Sequence, residues 1–249
     1  MKSQKKFSVT ILLLTLLLCT LRSICMLNNY QPELGYFDSS ALAISMKILL
    51  VATVAFGIIT PFLTSAPSSD PPTASAGQTA VSVFSGALIL ISGIGILMSA
   101  TSAGTVTLLL GLFMMVGAAF FFTAPKKRLN AYFGFAVLAF LFCMLFHIYF
   151  DMYVAINSPL KISLQISLLT CMIYTLMLVR RAIKKTTPRF AVGIELACMT
   201  LCLSTSVSHL IYAIFGNPSA LTQNVLSPFI SLPLFAIGTF AASGAISQK

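Results

Sequence analysis

The sequence predicts an all-α fold, a polytopic transmembrane bundle of about eight helices with no soluble domain. Hydrophobic residues make up 58% of the chain and charged residues only 8%. Soluble domains contain roughly 25% charged residues, so this chain has too few to coat a soluble globule of its size. Apolar runs of about 20 residues, the length that crosses a bilayer, recur throughout the chain. The fold must therefore lie in lipid.

These runs predict a single integral membrane domain that covers residues 1–249. Its helices lie near 8–26, 41–64, 80–99, 104–124, 131–155, 159–179, 190–215 and 225–246. The segment 65–79 is rich in Pro, Ser and Ala and nearly uncharged. This composition is typical of a flexible linker.

The third and fourth predicted helices contain small residues at seven-residue spacing. They are Gly86 and Gly93 in the third helix, and Gly104, Gly111 and Ala118 in the fourth. Small residues let helices approach closely in lipid, where packing replaces the hydrophobic effect. We therefore expect these two helices to form an antiparallel structural pair.

The first apolar run, 9–26, is typical of either a secretory signal or a first membrane helix. We interpret it as a membrane helix because it is long for a signal and Arg22 interrupts it where small residues would be needed for cleavage. Cys19 and Cys25 also lack the pattern that precedes a lipid-modified cysteine.

The stretch from Arg180 to Arg189 contains five basic residues between two apolar runs and sets the predicted orientation. Lys and Arg in short loops remain on the cytoplasmic side of a membrane. With the amino terminus inside, 12 Lys and Arg residues are cytoplasmic and 3 are not, namely Arg22, Lys47 and Lys161. The sequence predicts a multi-pass protein of the cell (plasma) membrane with both termini, and the linker 65–79, in the cytoplasm.

The net charge of +10 comes from short clusters without interleaved aromatic residues, so it indicates anionic lipid headgroups rather than nucleic acid. The six cysteines lie inside apolar runs or at their ends, and no CxxC motif is present. We therefore predict no disulfide framework, no metal and no cofactor. The predicted partner is the lipid bilayer. A protein partner, a second copy of the chain, or a small-molecule or ion substrate remains open.

The segments 129–179 and 190–246 are similar in layout and predict a duplicated helical hairpin. Each follows a basic residue and then contains a histidine and an Asn/Pro/Ser turn: His147 and Asn157 after Arg128 in the first, and His209 and Asn217 after Arg189 in the second. The histidines follow the arginines by 19 and 20 residues. Both copies would place a histidine near the outer membrane surface.

A polar seam is predicted on one face of the seventh helix, formed by Glu195, Cys198, Cys202, Thr205 and His209. Their spacings of three and four residues place them in one stripe. An ionisable residue inside a membrane helix is a candidate functional residue, because burying it in lipid is unfavourable. A polar packing seam and a solvated path for a proton, ion or small solute are both consistent with this pattern. His209 lies seven residues from Cys202, about 10 Å along the axis, which is too far to share one metal ion.

A second candidate, the outer-end cluster, is predicted where the fifth and sixth helices meet. His147 and Asp151 are four residues apart, as are Lys161 and Gln165 on the next helix, so each pair shares a face. We expect Asp151 to pair with Lys161, with Lys47 as a rival partner. Such a pair is explained by a structural salt bridge, by snorkelling to water or by a solute site.

The residues Ile156-Asn-Ser-Pro-Leu-Lys161, the Arg180-Arg181 helix end and the Pro188-Arg189 start resemble a family of uncharacterised multi-pass membrane proteins from Clostridia-type bacteria. The resemblance covers roughly residues 125–215. It implies a bacterial inner membrane and no role for any residue.

The short loops and few ionisable residues favour a non-enzymatic membrane accessory, sensor or scaffold component. The alternative is a small-solute or ion transporter, proton-coupled, with the polar seam on helix seven. Whether the chain is an enzyme is uncertain, but HExxH, GxSxG and paired intramembrane aspartates are all missing from the sequence. This absence favours a non-enzymatic role.

Overall fold

The computed structural model describes residues 2–31, 36–38, 40–63, 76–99, 104–123, 131–151, 154–155, 157–183, 190–216 and 227–247. The described helices are α1 (Lys2–Asn29), α2 (Ala41–Leu63), α3 (Ala76–Ser99), α4 (Thr105–Thr123), α5 (Ala131–Tyr149), α6 (Pro159–Ala182), α7 (Ala191–Phe215) and α8 (Pro228–Ser247), with two short strands, β1 (Tyr30–Gln31) and β2 (Tyr36–Phe37). All eight are long and apolar enough to cross a membrane. The predicted fold class is confirmed, and no soluble domain is present among these residues.

Several helix bounds differ from the sequence prediction: α1, predicted at 8–26, spans Lys2–Asn29, and two further differences have a cause in the structure. The fifth helix was predicted to reach residue 155, but α5 ends at Tyr149. The chain leaves the helix because the Lys161 ammonium donates hydrogen bonds to the backbone carbonyl oxygens of Asp151 and Val154, at 2.7 and 3.5 Å. The eighth helix was predicted from 225 and begins at Pro228. Proline suits a first helical position because its missing N–H would have no partner there.

The linker is shorter at its carboxyl-terminal end than the sequence predicted. α3 begins at Ala76, so residues 76–79 of the predicted linker are helical. The remainder of that linker, the basic residues at 126–128, 184–185, 189 and 249, and Asn217 lie outside the described residues. The duplicated hairpin remains a prediction. Of its two histidines, His147 is half-buried and His209 is fully buried.

Six helices form a closed ring in which each packs on the next, in the order α3, α4, α5, α6, α7, α8 and back to α3. α1 and α2 pack on each other and on α7. α7 therefore has ring neighbours on both sides and two further helices over its remaining face. This arrangement makes α7 the most enclosed of the eight spans, with 67% of its apolar window buried.

Aromatic side chains fill part of the ring. Phe121 of α4 packs edge-on against Phe240 of α8, with ring centroids 5.2 Å apart, and Phe120 packs edge-on against Phe121 at 5.4 Å. Phe140 of α5 is buried close to Gly117 of α4. The α4 side of the ring is therefore packed largely with apolar aromatic side chains.

Small residues set two close helix contacts. Between α3 and α4, a methyl group on Gly93 would stand 3.1 Å from the carbonyl oxygen of Gly111. Between α2 and α7, a methyl group on Gly193 would stand 3.0 Å from the Cα of Ile58. Both glycines allow the backbones to approach closely, as expected for helix packing in lipid.

The two strands cap one end of the bundle, called here the strand end. Tyr30 pairs with Phe37 in the antiparallel register. The Tyr30 ring also packs edge-on against Tyr212 of α7, at 5.5 Å between centroids. Burial raises the pKa of the Tyr30 phenol, so the hydroxyl stays neutral. The strand end therefore closes over the carboxyl ends of α1 and α7.

Candidate functional site

The five residues of the polar seam lie on the face of α7 that packs against α6. Four of them, Glu195, Cys198, Cys202 and Thr205, have a polar or sulfur contact with α6. The fifth, His209, lies near Arg22 of α1. The name polar seam is used for the five residues together with these partners on α6 and α1. All five are buried. At 1.5 Å per residue, the seam extends about 21 Å along α7, most of the thickness of a bilayer core.

Glu195 lies toward the end of the bundle opposite the strands. The Tyr174 hydroxyl of α6 donates to its Oε1 at 3.4 Å. The same oxygen lies directly against Gly244 of α8, where no side chain would fit without moving the carboxylate. Glu195 is only 2% exposed, so its carboxyl group lies in a narrow space between α6, α7 and α8.

Three cysteines form the middle of the seam. The Sγ atom of Cys171 on α6 lies 3.1 Å from that of Cys202 and 3.9 Å from that of Cys198. The Cys198 and Cys202 sulfurs, one turn apart on α7, are separated by 3.8 Å. All three side chains are fully buried and all three thiols are free.

Hydroxyl groups continue the seam toward the strand end. The Ser167 hydroxyl of α6 and the Thr205 hydroxyl of α7 lie 3.2 Å apart. Ser167 also reaches the carbonyl oxygens of Ser163 and Leu201, at 2.8 and 3.3 Å. Hydrogen bonds between membrane helices average about 0.6 kcal/mol each, so these contacts alone hold α6 and α7 together only weakly.

Arg22 and His209 complete the seam near the strand end. Neither ring nitrogen of His209 has a hydrogen-bond partner within the described residues, although both are buried. The Arg22 Nη2 donates to the Ser163 hydroxyl at 2.6 Å, while its Nε has no partner in the same set. The Arg22 guanidinium acts electrostatically on the His209 ring. This end of the seam is therefore positive, buried and short of hydrogen-bond acceptors.

The stripe on α6 was not identified from the sequence. Ser163, Ser167, Cys171 and Tyr174 lie at spacings of four, four and three, and face the seam across the helix interface. The same periodicity that indicated the seam on α7 is present on α6. Together with the predicted adjacency of the sixth and seventh helices, this periodicity is the sequence signal that could have identified the stripe on α6.

The outer-end cluster lies on a different side of α6. Lys161, which is fully buried, donates to the backbone carbonyl of Asp151, and the Asp151 carboxylate acts electrostatically on both Lys161 and His147. Gln165 Nε2 is buried and has no partner in the described part of the chain. Lys47, the predicted rival, is exposed on α2, which packs on α1 and α7. His147, Asp151 and Lys161 are therefore close together, with a backbone carbonyl as the observed acceptor for Lys161.

Two chemical properties distinguish the polar seam from a packing interface of neutral hydroxyls. It contains a carboxyl group at one end, which can take and release a proton, and a cationic side chain at the other, which can bind an anion. Comparison with known protein families, with curated proteins and with solved structures finds no match.

Proposed function

We infer that this multi-pass membrane protein is a transporter that moves a small anionic solute together with protons along the polar seam between α6 and α7. One observation carries this proposal. Arg22 is 3% exposed and none of the described carboxylates forms an ion pair with it. A buried charge of this kind is unfavourable in a membrane helix and is typical of a substrate or ion pathway.

The sign of the charge supports an anion as the solute. A guanidinium group presents five N–H donors and binds carboxylate or phosphate in a two-pronged geometry. In Arg22 the observed bond to Ser163 uses one of these donors, and His209 adds two ring nitrogens that have no partner in the described structure. A fixed positive charge at the same place would repel a cation. A small carboxylate or inorganic phosphate therefore fits this end of the seam.

Glu195 is the proposed proton carrier. It lies about 21 Å from His209 along α7, so it does not neutralise Arg22 directly. A carboxyl group can bind a proton and release it to water that reaches it. Alternate opening of the two ends would therefore couple proton movement to solute movement. The Tyr174 hydroxyl, 3.4 Å away, keeps the carboxyl group oriented.

The membrane setting is part of the same proposal. The resemblance of Ile156–Lys161 and its flanks supports a bacterial inner membrane, and the distribution of basic residues supports cytoplasmic termini. With that orientation, the strand end and Arg22 would face the outside, and Glu195 would face the cytoplasm.

Flux into proteoliposomes tests the proposal. Vesicles containing the purified protein and a pH-sensitive dye are given small mono- and dicarboxylates or inorganic phosphate, and acidification of the lumen is followed. We expect at least one of these anions to cause proton uptake, and Arg22→Gln to abolish it. Thr53→Val is the matched control, because it removes a buried hydroxyl of α2 whose hydrogen bond in the described structure is to Leu49 of the same helix. No anion-dependent flux with any member of the panel contradicts the proposal.

A membrane accessory, sensor or scaffold component is the second candidate. The observation that favours it is the closure of the seam, because all five residues are buried and the helices around them are in contact. On this reading the polar groups fix the pairing of α6 with α7. Copurification of a stoichiometric membrane partner from native membranes, together with absence of flux, would favour this candidate.

A further inference from the structure

We propose that Cys171, Cys198 and Cys202 form a binding site for one soft, thiophilic monovalent cation of the Cu(I) type. The site joins α6 to α7 in the middle of the polar seam. It is independent of the proposed transport, because it rests on the sulfur geometry alone and its readout is metal binding.

The three sulfurs already form a triangle of suitable size. An ion bonded to three sulfurs in one plane, with bonds of about 2.3 Å as for Zn–S, holds them about 4.0 Å apart. Two sides of the triangle, 3.9 and 3.8 Å, are close to that separation. The third, between Cys171 and Cys202, is 3.1 Å and has to lengthen.

The number and kind of ligands select the ion. Within the residues that the structure describes, the group consists of these three thiols, with no histidine or carboxylate close enough to complete it. Structural zinc sites take four ligands, and calcium or magnesium require oxygen. Sulfur ligands favour soft ions, of which Cu(I) is the biological example.

Binding exchanges thiol protons for the cation, because a cysteine binds a metal as its thiolate. The released protons go to the buffer, so metal binding can be followed as proton release.

The competing explanation is that the three thiols are apolar packing. Buried thiols do behave as small hydrophobic groups. The two explanations differ in a measurable way, since apolar packing has no affinity for Cu(I) once the other cysteines are removed.

The experiment uses a full-length background with Cys19→Ser, Cys25→Ser and Cys143→Ser, which retains only the three proposed ligands. The reduced protein is titrated with Cu(I) in competition with bicinchoninate, and a second sample is loaded during expression in copper-supplemented medium so that burial does not prevent access. We expect one Cu(I) per chain, with release of thiol protons to the buffer. X-ray absorption of the loaded protein should show three sulfur neighbours.

Removal of one ligand provides the control. In the same background, Cys171→Ser and Cys202→Ser should each weaken Cu(I) binding more than about 100-fold, since changes to groups that merely support a ligand cost 10–100-fold. Thermal unfolding midpoints identify any variant that fails to fold. If one of the two variants does not fold, the Cu(I) affinity of the other tests the proposal. Background protein that holds no Cu(I) by either loading route, or folded variants that hold it as tightly as the background, would overturn the proposal. Tighter binding of Zn(II) than of Cu(I) would overturn the choice of ion.

Discussion

Glu195 carries the proposed proton coupling. Substituting Glu195→Gln keeps the side-chain volume and an oxygen that accepts from Tyr174, but it removes the exchangeable carboxyl proton. We expect anion-dependent proton uptake in proteoliposomes to fall to background, with little change in expression or in the thermal unfolding midpoint. Normal proton uptake by a stable Glu195→Gln protein would remove Glu195 from the pathway.

Removal of the Arg22 charge should abolish activity without lowering stability. Arg22→Met keeps the length of the side chain and removes a buried charge with one observed hydrogen bond. Insertion scales assign about 2.5–3.5 kcal/mol to an arginine at a helix centre, and one hydrogen bond to a charged group returns about 1.5–3. We therefore expect the free energy of unfolding to stay the same or to rise by about 1–2 kcal/mol while anion uptake is lost.

Chemical denaturation in detergent micelles measures this difference, with Thr53→Val as the reference for removal of a polar group away from the seam. A loss of stability larger than that of Thr53→Val would indicate that Arg22 has a structural partner. In that case its charge would no longer support an anion site.

Glycine contacts control how α7 is packed. A side chain on Gly193 would meet the backbone of Ile58 on α2, whereas no atom of the described residues lies within 4 Å of a methyl group placed on Gly104. We expect Gly193→Leu to lower the free energy of unfolding by about 1–3 kcal/mol, as overpacking does, and Gly104→Leu to have little effect. Thermal unfolding of both variants in the same detergent gives the comparison. Equal stability of the two would contradict the close approach of α2 and α7.

Hydropathy predicts the number and approximate position of the helices well, but it predicts some of their ends less accurately. The runs around α2, α6 and α7 are long and apolar, so their number and approximate position follow from composition. The ends of α5 and α8 were predicted less accurately, because apolar residues continue past Tyr149 and before Pro228. The buried Lys161 determines where α5 ends, and Pro228 determines where α8 begins.

Periodicity likewise identifies which face of a helix is polar, but not which helix covers it. The spacing from Glu195 to His209 predicts one stripe on α7, and the structure places α6 over that stripe. Cys171 reaches the seam because of the position of α6 along the axis of α7. The residue spacing within a single helix does not predict that position. Arg22 was counted among the outer charges for the same reason, since only packing against α6 and α7 buries it.

At the scale of the whole molecule, the α6–α7 interface carries a run of polar and sulfur contacts that extends along both helices. The ring on the α4 side is filled by phenylalanine side chains, while the α6–α7 interface contains the polar seam and α1 contributes Arg22 to it. Lipid-exposed apolar side chains cover the outer faces of the ring. If solute crosses this protein, the α6–α7 interface is the route with the polar groups to support it.

The proposed orientation has a direct test. Ile183, just after α6, is exposed and next to the basic residues Arg180 and Arg181. With Ile183→Cys in a background without other cysteines, a membrane-impermeant thiol reagent should label the residue only after the cells are opened. Asp38→Cys, on the strand end, should be labelled in intact cells. Strong labelling of Ile183→Cys from outside would reverse the orientation and place Arg22 on the cytoplasmic side.

Access of water to the seam tests the central claim most directly. The protein retains Cys202 alone, with the other five cysteines changed to serine, and a small charged thiol reagent is applied to membrane vesicles from both sides. Two further variants in which Cys202 is also serine serve as references: Asp38→Cys at the strand end, and Ile166→Cys on the lipid-exposed face of α6. If the seam opens as a transport path, Cys202 is labelled faster than Ile166→Cys and more slowly than Asp38→Cys. Labelling of Cys202 no faster than that of Ile166→Cys, in folded protein, would contradict the transport path.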